Sequence, residues 1–292
     1  MGKLRTSAMV GILITGLFLP AARADVNPLI GVNLFGGAER GTDSKAGGIG
    51  GVELFGTAPF SRDWGFQGSL GYIGRDNSQR VGVSGGPIFS YSRGKVGLFV
   101  DYEYKHSDLA SINPALAFLR DRGGQDNHFI FIRGSWAHYF DSFDFILSYT
   151  QPVHKVQNST ALQFNAAVAP PCFPKHDLTI NELRGVLRFY PTASTEINGG
   201  MMVNSFAGPT RNESKTGVGG ILGASWQITG PFILNLFQAQ MDSRSRYRVT
   251  SGLQFAWSPG SSSTARDKPM RETAAIAMLD SSAAGSSGTS SS

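Results

Sequence analysis

The 292-residue chain has a single cysteine, Cys172, so no intramolecular disulfide can form. Its thiol, within Pro170-Pro171-Cys172-Phe173-Pro174, is expected to pack among apolar loop residues. Metal-ligand spacing, a P-loop and a nucleophile elbow are missing as well. The Gly-rich run from Ala46 to Val52 lacks the Lys-Ser/Thr pair and the helix that a phosphate loop needs. In a strand, such glycines serve curvature and close packing instead. Beyond Asp25 no apolar run approaches the roughly 20 residues of a membrane-crossing helix. Charge is also sparse, with 16% Asp, Glu, Lys and Arg and a formal net charge of +5.

Part of that charge belongs to the first residues. Lys3 and Arg5 precede an apolar stretch from Ala8 to Leu19, and Ala22-Arg23-Ala24 supplies the small residues a signal peptidase inspects. Residues 1–24 therefore read as a secretory signal peptide. Its removal takes Lys3, Arg5 and Arg23 and no acid, which lowers the formal charge from +5 to +2. So small an excess gives little case for nucleic acid as a partner. From Ser258 onward the composition turns to Ser, Ala, Gly and Thr. Such a segment cannot bury enough apolar surface to offset its ordering entropy, so residues 258–292 are expected to be a disordered tail.

Between these ends, short alternating segments bounded by turn residues recur, an all-β pattern. Twelve strands are expected, over about 28–36, 47–57, 64–74, 79–91, 95–106, 127–139, 142–151, 178–190, 194–204, 216–228, 231–242 and 245–257. Several have one apolar and one polar face. In Lys95 to Lys105, Val96, Leu98, Val100, Tyr102 and Tyr104 share one parity, and Lys95, Asp101, Glu103 and Lys105 the other. In the eighth strand Leu183, Gly185, Leu187 and Phe189 alternate with Glu182, Arg184, Val186 and Arg188.

The last segment, Tyr247 to Trp257, has Tyr247, Val249, Leu253, Phe255 and Trp257 on one parity and Arg248, Thr250, Gly252 and Gln254 on the other. This aromatic-ended segment resembles the closing strand of bacterial outer-membrane β-barrel proteins, in which it is the signal read by the barrel-assembly machinery. The resemblance implies an all-β, transmembrane, antiparallel up-and-down barrel of about twelve strands over residues 25–257. Its loops would alternate between short periplasmic turns and longer outer connections. A soluble β-sandwich also alternates, but it gives no reason for aromatics near so many strand ends: Trp64, Tyr72, Phe89, Tyr91, Trp136, Tyr139, Tyr149, Phe189, Trp226 and Trp257. Girdles at two bilayer interfaces do.

The function implied is a narrow porin-like pore for ions or small solutes in the bacterial outer membrane, with lipid and the assembly machinery as partners and no cofactor. The expected pore-lining residues are Arg80, Asp101, Glu103, Lys105, Glu182, Arg184, Arg188, Glu196, Arg246 and Arg248, since charged rings set ion preference. A closed barrel that displays loops 107–126 and 152–177 for adhesion or binding is one alternative, and a lipid-modifying enzyme another. For the enzyme, His106, His128, His138, His154 and His176 form no visible Ser-His-acid motif. Tyr149-Thr150-Gln151 resembles a segment of outer-membrane phospholipase A, but that family's His-x-Ser-Asn-Gly block has no counterpart. The chain is accordingly expected not to be an enzyme, and no catalytic residue is assigned.

Overall fold

The computed structural model describes residues 26–40, 46–75, 78–108, 124–159, 179–207, 215–242 and 247–258. The expected signal peptide, residues 1–24, and the tail beyond Ser258 lie outside the described residues. Twelve strands form: β1 (Leu29–Arg40), β2 (Gly47–Pro59), β3 (Trp64–Arg75), β4 (Ser78–Tyr91), β5 (Gly94–Asp108), β6 (Gly124–Tyr139), β7 (Phe143–Ser159), β8 (Thr179–Thr192), β9 (Thr195–Ala207), β10 (Lys215–Thr229), β11 (Phe232–Asp242) and β12 (Tyr247–Trp257). Each is antiparallel to its neighbours in sequence. β1 pairs with β12 from Ile30↔Trp257 to Arg40↔Tyr247 and closes the barrel. No helix among the described residues is long and apolar enough to cross a membrane. The strands, of 11 to 17 residues, each reach or exceed the roughly 9 to 11 that a tilted β crossing needs.

The alternation read from sequence is the alternation of burial. In β5, Val96, Leu98 and Val100 are exposed while Lys95, Phe99, Asp101, Glu103 and Lys105 are buried. In β8, Leu183, Leu187 and Phe189 are exposed while Glu182, Arg184 and Arg188 are buried. An exterior that presents Ile30, Leu34, Leu54, Leu70, Met201, Leu222 and Leu253 around the whole circumference is an aggregation surface in water and a matched surface in lipid. Leu98, 57% exposed on the outward face of β5, tests this. Leu98→Arg should destabilise the barrel by about 2 to 4 kcal/mol near the bilayer midplane, read as a lower urea midpoint in lipid vesicles. An unchanged midpoint would contradict a lipid-facing Leu98.

The connections sort by end. Residues 60–63, 92–93, 140–142, 193–194 and 230–231 join strands at the end that also carries Leu29 and Trp257. The opposite, long-loop end carries the strand ends Arg40 and Gly47, Arg75 and Ser78, Asp108 and Gly124, Ser159 and Thr179, Ala207 and Lys215, and Asp242 and Tyr247, and all but Ala46 of the sequence that connects them lies outside the described residues. Gly230, with φ of 46°, occupies the left-handed region in the last short turn, where a side chain would be strained.

Among the strands that run beyond their expected spans, β1 and β7 do so by the most. β1 continues through Gly36-Gly37 to Arg40. That pair reads as a turn, but a Cβ on Gly37 would collide with the Val249 carbonyl oxygen. Glycine is needed there for close strand approach. β7 continues past Pro152 to Ser159, so His154, expected in a loop, lies in a strand. Proline is tolerated because the β6 ladder shifts register there, Ile130 pairing His154 and Phe131 pairing Pro152. The β8 ladder has already ended at Thr150↔Glu182. Consequently the expected loop 152–177 begins only after Ser159, and the rest of it lies outside the described residues.

The aromatic girdle is strongest at the short-turn end. Trp64 packs on Phe89 at 4.9 Å between ring centroids, Trp136 edge-on to Phe145 at 5.8 Å, Phe140 on Phe143 at 4.3 Å and Phe232 on Phe255 at 5.3 Å. Tyr139 departs from expectation. It sits on the inward parity and packs with Ala137 and Ile146, because β6 keeps strict alternation from Phe129 to its end.

Candidate functional site: the charged barrel interior

Nine of the ten expected pore-lining residues are buried on the inward parity: Arg80, Asp101, Glu103, Lys105, Glu182, Arg184, Arg188, Glu196 and Arg248. Arg246 lies outside the described residues. Lys95, read on the same polar parity as Asp101, is buried too, and the strands add inward charges that sequence reasoning did not single out: Glu39, Glu53, Arg75, Arg133 and Asp144. They occur at three heights.

Near the short turns, the interior is divided into an apolar and a polar side. Leu29, Phe55, Ile233 and Ala256 form one buried cluster, and Val26, Ile88 and Phe99 another. Val26, just before β1, is anchored by its amide donating to the Arg62 carbonyl at 2.9 Å. Facing these, β7 to β10 contribute Asp144, Tyr190, Arg188, Glu196, Asn198 and Gln227. Tyr190 donates its hydroxyl to Asp144 at 2.6 Å, and Arg188 Nε lies 3.8 Å from Glu196 Oε1. An aqueous path at this end would have to follow the β7 to β10 wall.

At mid-height, Arg133 of β6 reaches across β5. Its Nε donates to Asp101 Oδ2 at 2.8 Å, and its Nη2 donates to Asp101 Oδ1 at 3.1 Å and to Ser84 Oγ at 3.0 Å. Ser84 in turn donates to Asp101 at 2.6 Å. The guanidinium carbon stands 4.4 Å from the centroid of the Phe99 ring, a cation–π contact in a desolvated setting. Arg133 is only 1% exposed. The bidentate geometry fixes the side chain and narrows the interior.

At the long-loop end, Glu39 of β1 accepts hydrogen bonds from two arginines on two other strands and forms a longer ion pair with a third. Arg80 Nη2 donates to it at 2.8 Å, Arg248 Nη2 at 2.7 Å with Nε at 3.0 Å, and Arg75 Nη1 lies 3.8 Å away. The Arg248 contact follows from register, since Glu39 and Arg248 are ladder partners. Arg80 has Lys105 as its ladder partner on β5, a like-charge pair directly opposite, which is unfavourable without a counter-charge. Glu182 and Arg184 form an ion pair of 2.8 Å within β8.

Histidine chemistry lies elsewhere. His128 Nδ1 is hydrogen-bonded to Tyr102 at 2.7 Å and His138 Nδ1 to Tyr91 at 3.1 Å, on the outward parity of β6 among girdle aromatics. No group of three or more His, Cys, Asp or Glu among the described residues is arranged to hold a metal ion.

Comparison with solved structures bears on the fold. An outer membrane channel from Pseudomonas putida F1 superposes with a TM-score of 0.52 at 10% identity, over 82% of this chain and 100% of that one. The chain has the fold of outer-membrane β-barrel channels. The NanC porin gives a TM-score of 0.49 at 9% identity, over 77% of this chain and 98% of that one. The KdgM porin gives 0.46 at 11% identity, over 78% and 99%. No protein-family model and no curated relative matches.

Proposed function

We propose that the protein is a narrow porin-like pore of the bacterial outer membrane that passes ions or small solutes and performs no catalysis. The observation that carries this reading is the charged strip at every height of the interior, from Arg188 and Glu196 through Asp101 and Arg133 to Glu39, Arg80 and Arg248. A barrel needed only as an anchor is filled more stably by apolar side chains, because buried ion pairs seldom repay their desolvation. Charges kept at that cost fit a path for charged solutes. The fold is one that an outer membrane channel also uses.

Close packing of Arg133, Glu53, Asp144 and Phe99, all almost fully buried, supports a second reading in which the barrel is shut and presents its long loops for adhesion or binding. Single-channel conductance of the purified protein decides between them, since a shut barrel carries no current at any voltage.

For the pore, the inward cations Arg80, Lys105, Arg184 and Arg248 outnumber the inward carboxylates Glu39, Glu103 and Glu182 among the described residues of the long-loop end, so weak anion selectivity is expected. Reversal potentials across a salt gradient in planar bilayers read it. Replacing both Arg184 and Arg188 by Gln should move the reversal potential toward that of a cation-preferring pore. A reversal potential unmoved by the double change would remove these arginines from the permeation path.

A further inference from the structure

The two sides of the barrel interior differ in how open they are. On the β3 to β6 side the inward residues Gln67, Ser69, Ser84, Phe99, Asp101 and Arg133 are all buried. On the other side, Asn33 and Phe35 of β1, Ile221 of β10, Asn235 and Gln238 of β11 and Thr250 of β12 are each partly exposed. The lipid-facing parity of these strands carries Leu34, Leu222 and Leu253 instead, so this accessibility belongs to the lumen. Strand pairing gathers the six residues on one wall. Phe35 and Asn235 both pair with Gly252, Thr250 pairs with Gln238, and Ile221 lies one row further along, opposite Gln240. None of the six carries a charge.

Three of these side chains are held in place along the wall. The Phe35 ring lies against Gly51 of β2 and the Gln238 amide against Gly223 of β10, since a Cβ on either glycine would collide with them. Each glycine occupies the inward position next to its guest, and so provides a shelf that leaves the far side of the ring or amide toward the lumen. Asn235 Nδ2 donates to Asn33 Oδ1 at 3.3 Å, across β12 beside Gly252.

We propose that this wall is a binding site for a small neutral polyhydroxylated molecule of monosaccharide size. A hydroxyl both donates and accepts, and a primary amide offers two N–H donors and a carbonyl acceptor. Asn33, Asn235 and Gln238, with the Thr250 hydroxyl, therefore match several hydroxyls on one solute. The exposed face of Phe35 suits the C–H side of the same molecule, whose hydrogens meet the electron-rich ring. One apolar surface with a few placed polar groups is the usual make-up of a small-molecule site. An ion gains less, because at these six positions only neutral dipoles replace the water it gives up. The inference rests on the proposed pore for the route to this wall, and it names a solute class for that pore.

The test uses the purified, folded protein, titrated calorimetrically with glucose and separately with glucuronate, its carboxylate counterpart. In parallel, chloride conductance in planar bilayers is measured with and without glucose. Saturable binding of glucose is expected, with glucuronate bound severalfold more weakly. Gln238→Leu should weaken glucose binding about fivefold, the usual worth of one neutral hydrogen bond. Phe35→Leu, which keeps the apolar bulk and loses the flat face, should weaken it severalfold. Arg93→Gln, on an exposed short turn, should leave it unchanged. Folding of each variant is checked by heat-modifiable migration. If both wall variants fail to fold, Thr250→Val, which preserves the side-chain shape, should still weaken binding severalfold. Failure of the wild-type protein to bind glucose saturably would overturn the site, as would wild-type affinity in every folded wall variant. Glucuronate bound as tightly as glucose would overturn the neutral class. Glucose binding without conductance would keep the site and reject the ion-conducting pore, and conductance without glucose binding would do the reverse.

Discussion

Deletion of residues 247–292 should abolish assembly, whereas deletion of residues 259–292 should leave a folded, heat-modifiable barrel. The longer deletion removes β12 and with it the ladders to β1 and β11. It leaves two strand edges whose backbone N–H and C=O groups have no partners within lipid, at several kcal/mol for each group, and this is the reason membrane-spanning sheets are closed. It also strips Glu39 of Arg248. The shorter deletion touches no ladder. The cut belongs after Ser258 rather than before it, because the Ser258 hydroxyl donates to the Pro28 carbonyl at 2.7 Å and ties the end of β12 to the residues entering β1. Migration of unheated and heated samples in detergent gels, together with resistance to urea extraction from membranes, measures both outcomes. A folded, inserted product from the longer deletion would mean that β12 does not close the barrel.

The number of strands, their order and the ends of the barrel were legible because each rests on a local pattern. A half-buried strand alternates with period two, and the alternation from Lys95 to Lys105 assigns inward and outward residues without knowledge of any neighbour. Where both parities are apolar the pattern fails. In β6, Phe129 and Phe131 point inward while Ile130 and Ile132 share the other parity, so Arg133 stood without an obvious partner in sequence, although it became the centre of the mid-height network. Glu39 was hidden for a different reason: Gly36-Gly37 looked like the end of β1, and the reason for two glycines became visible only when β12 was seen to approach there. Asp144 and Tyr190 show a third limit. Each could be given a parity, but their 2.6 Å hydrogen bond joins residues 46 positions apart, and it requires the β7–β8 register, which a single strand's composition does not contain. The same holds for Glu39 and Arg80, which meet across the interior from β1 and β4. What sequence supplied was the inward parity of the charges in the cleanly alternating strands; which charge meets which is set by register and shear, properties of the closed sheet.

The mid-height network gives the second large effect. Asp101→Ala should destabilise the barrel by about 3 to 5 kcal/mol, the usual result of leaving one partner of a buried ion pair charged and alone. Arg133 would lose both carboxylate bonds, and only Ser84 and the face of Phe99 would remain to it. The guanidinium cannot escape the charge by deprotonation. Asp101→Leu combined with Arg133→Met should recover most of the loss, because two apolar side chains of similar bulk leave no stranded charge. The urea midpoint of the protein folded in vesicles, compared across wild type, each single variant and the pair, measures this as a double-mutant cycle. The size of the single-variant loss also reports on the interior itself. In a broad aqueous lumen, water would solvate the abandoned Arg133 and the cost would shrink toward the roughly 0 to 1 kcal/mol of an exposed pair. A loss of that smaller size would therefore reject a filled, narrow centre and favour a wide pore. The full loss, with rescue by the apolar pair, would establish a filled, desolvated centre around Arg133 and Asp101.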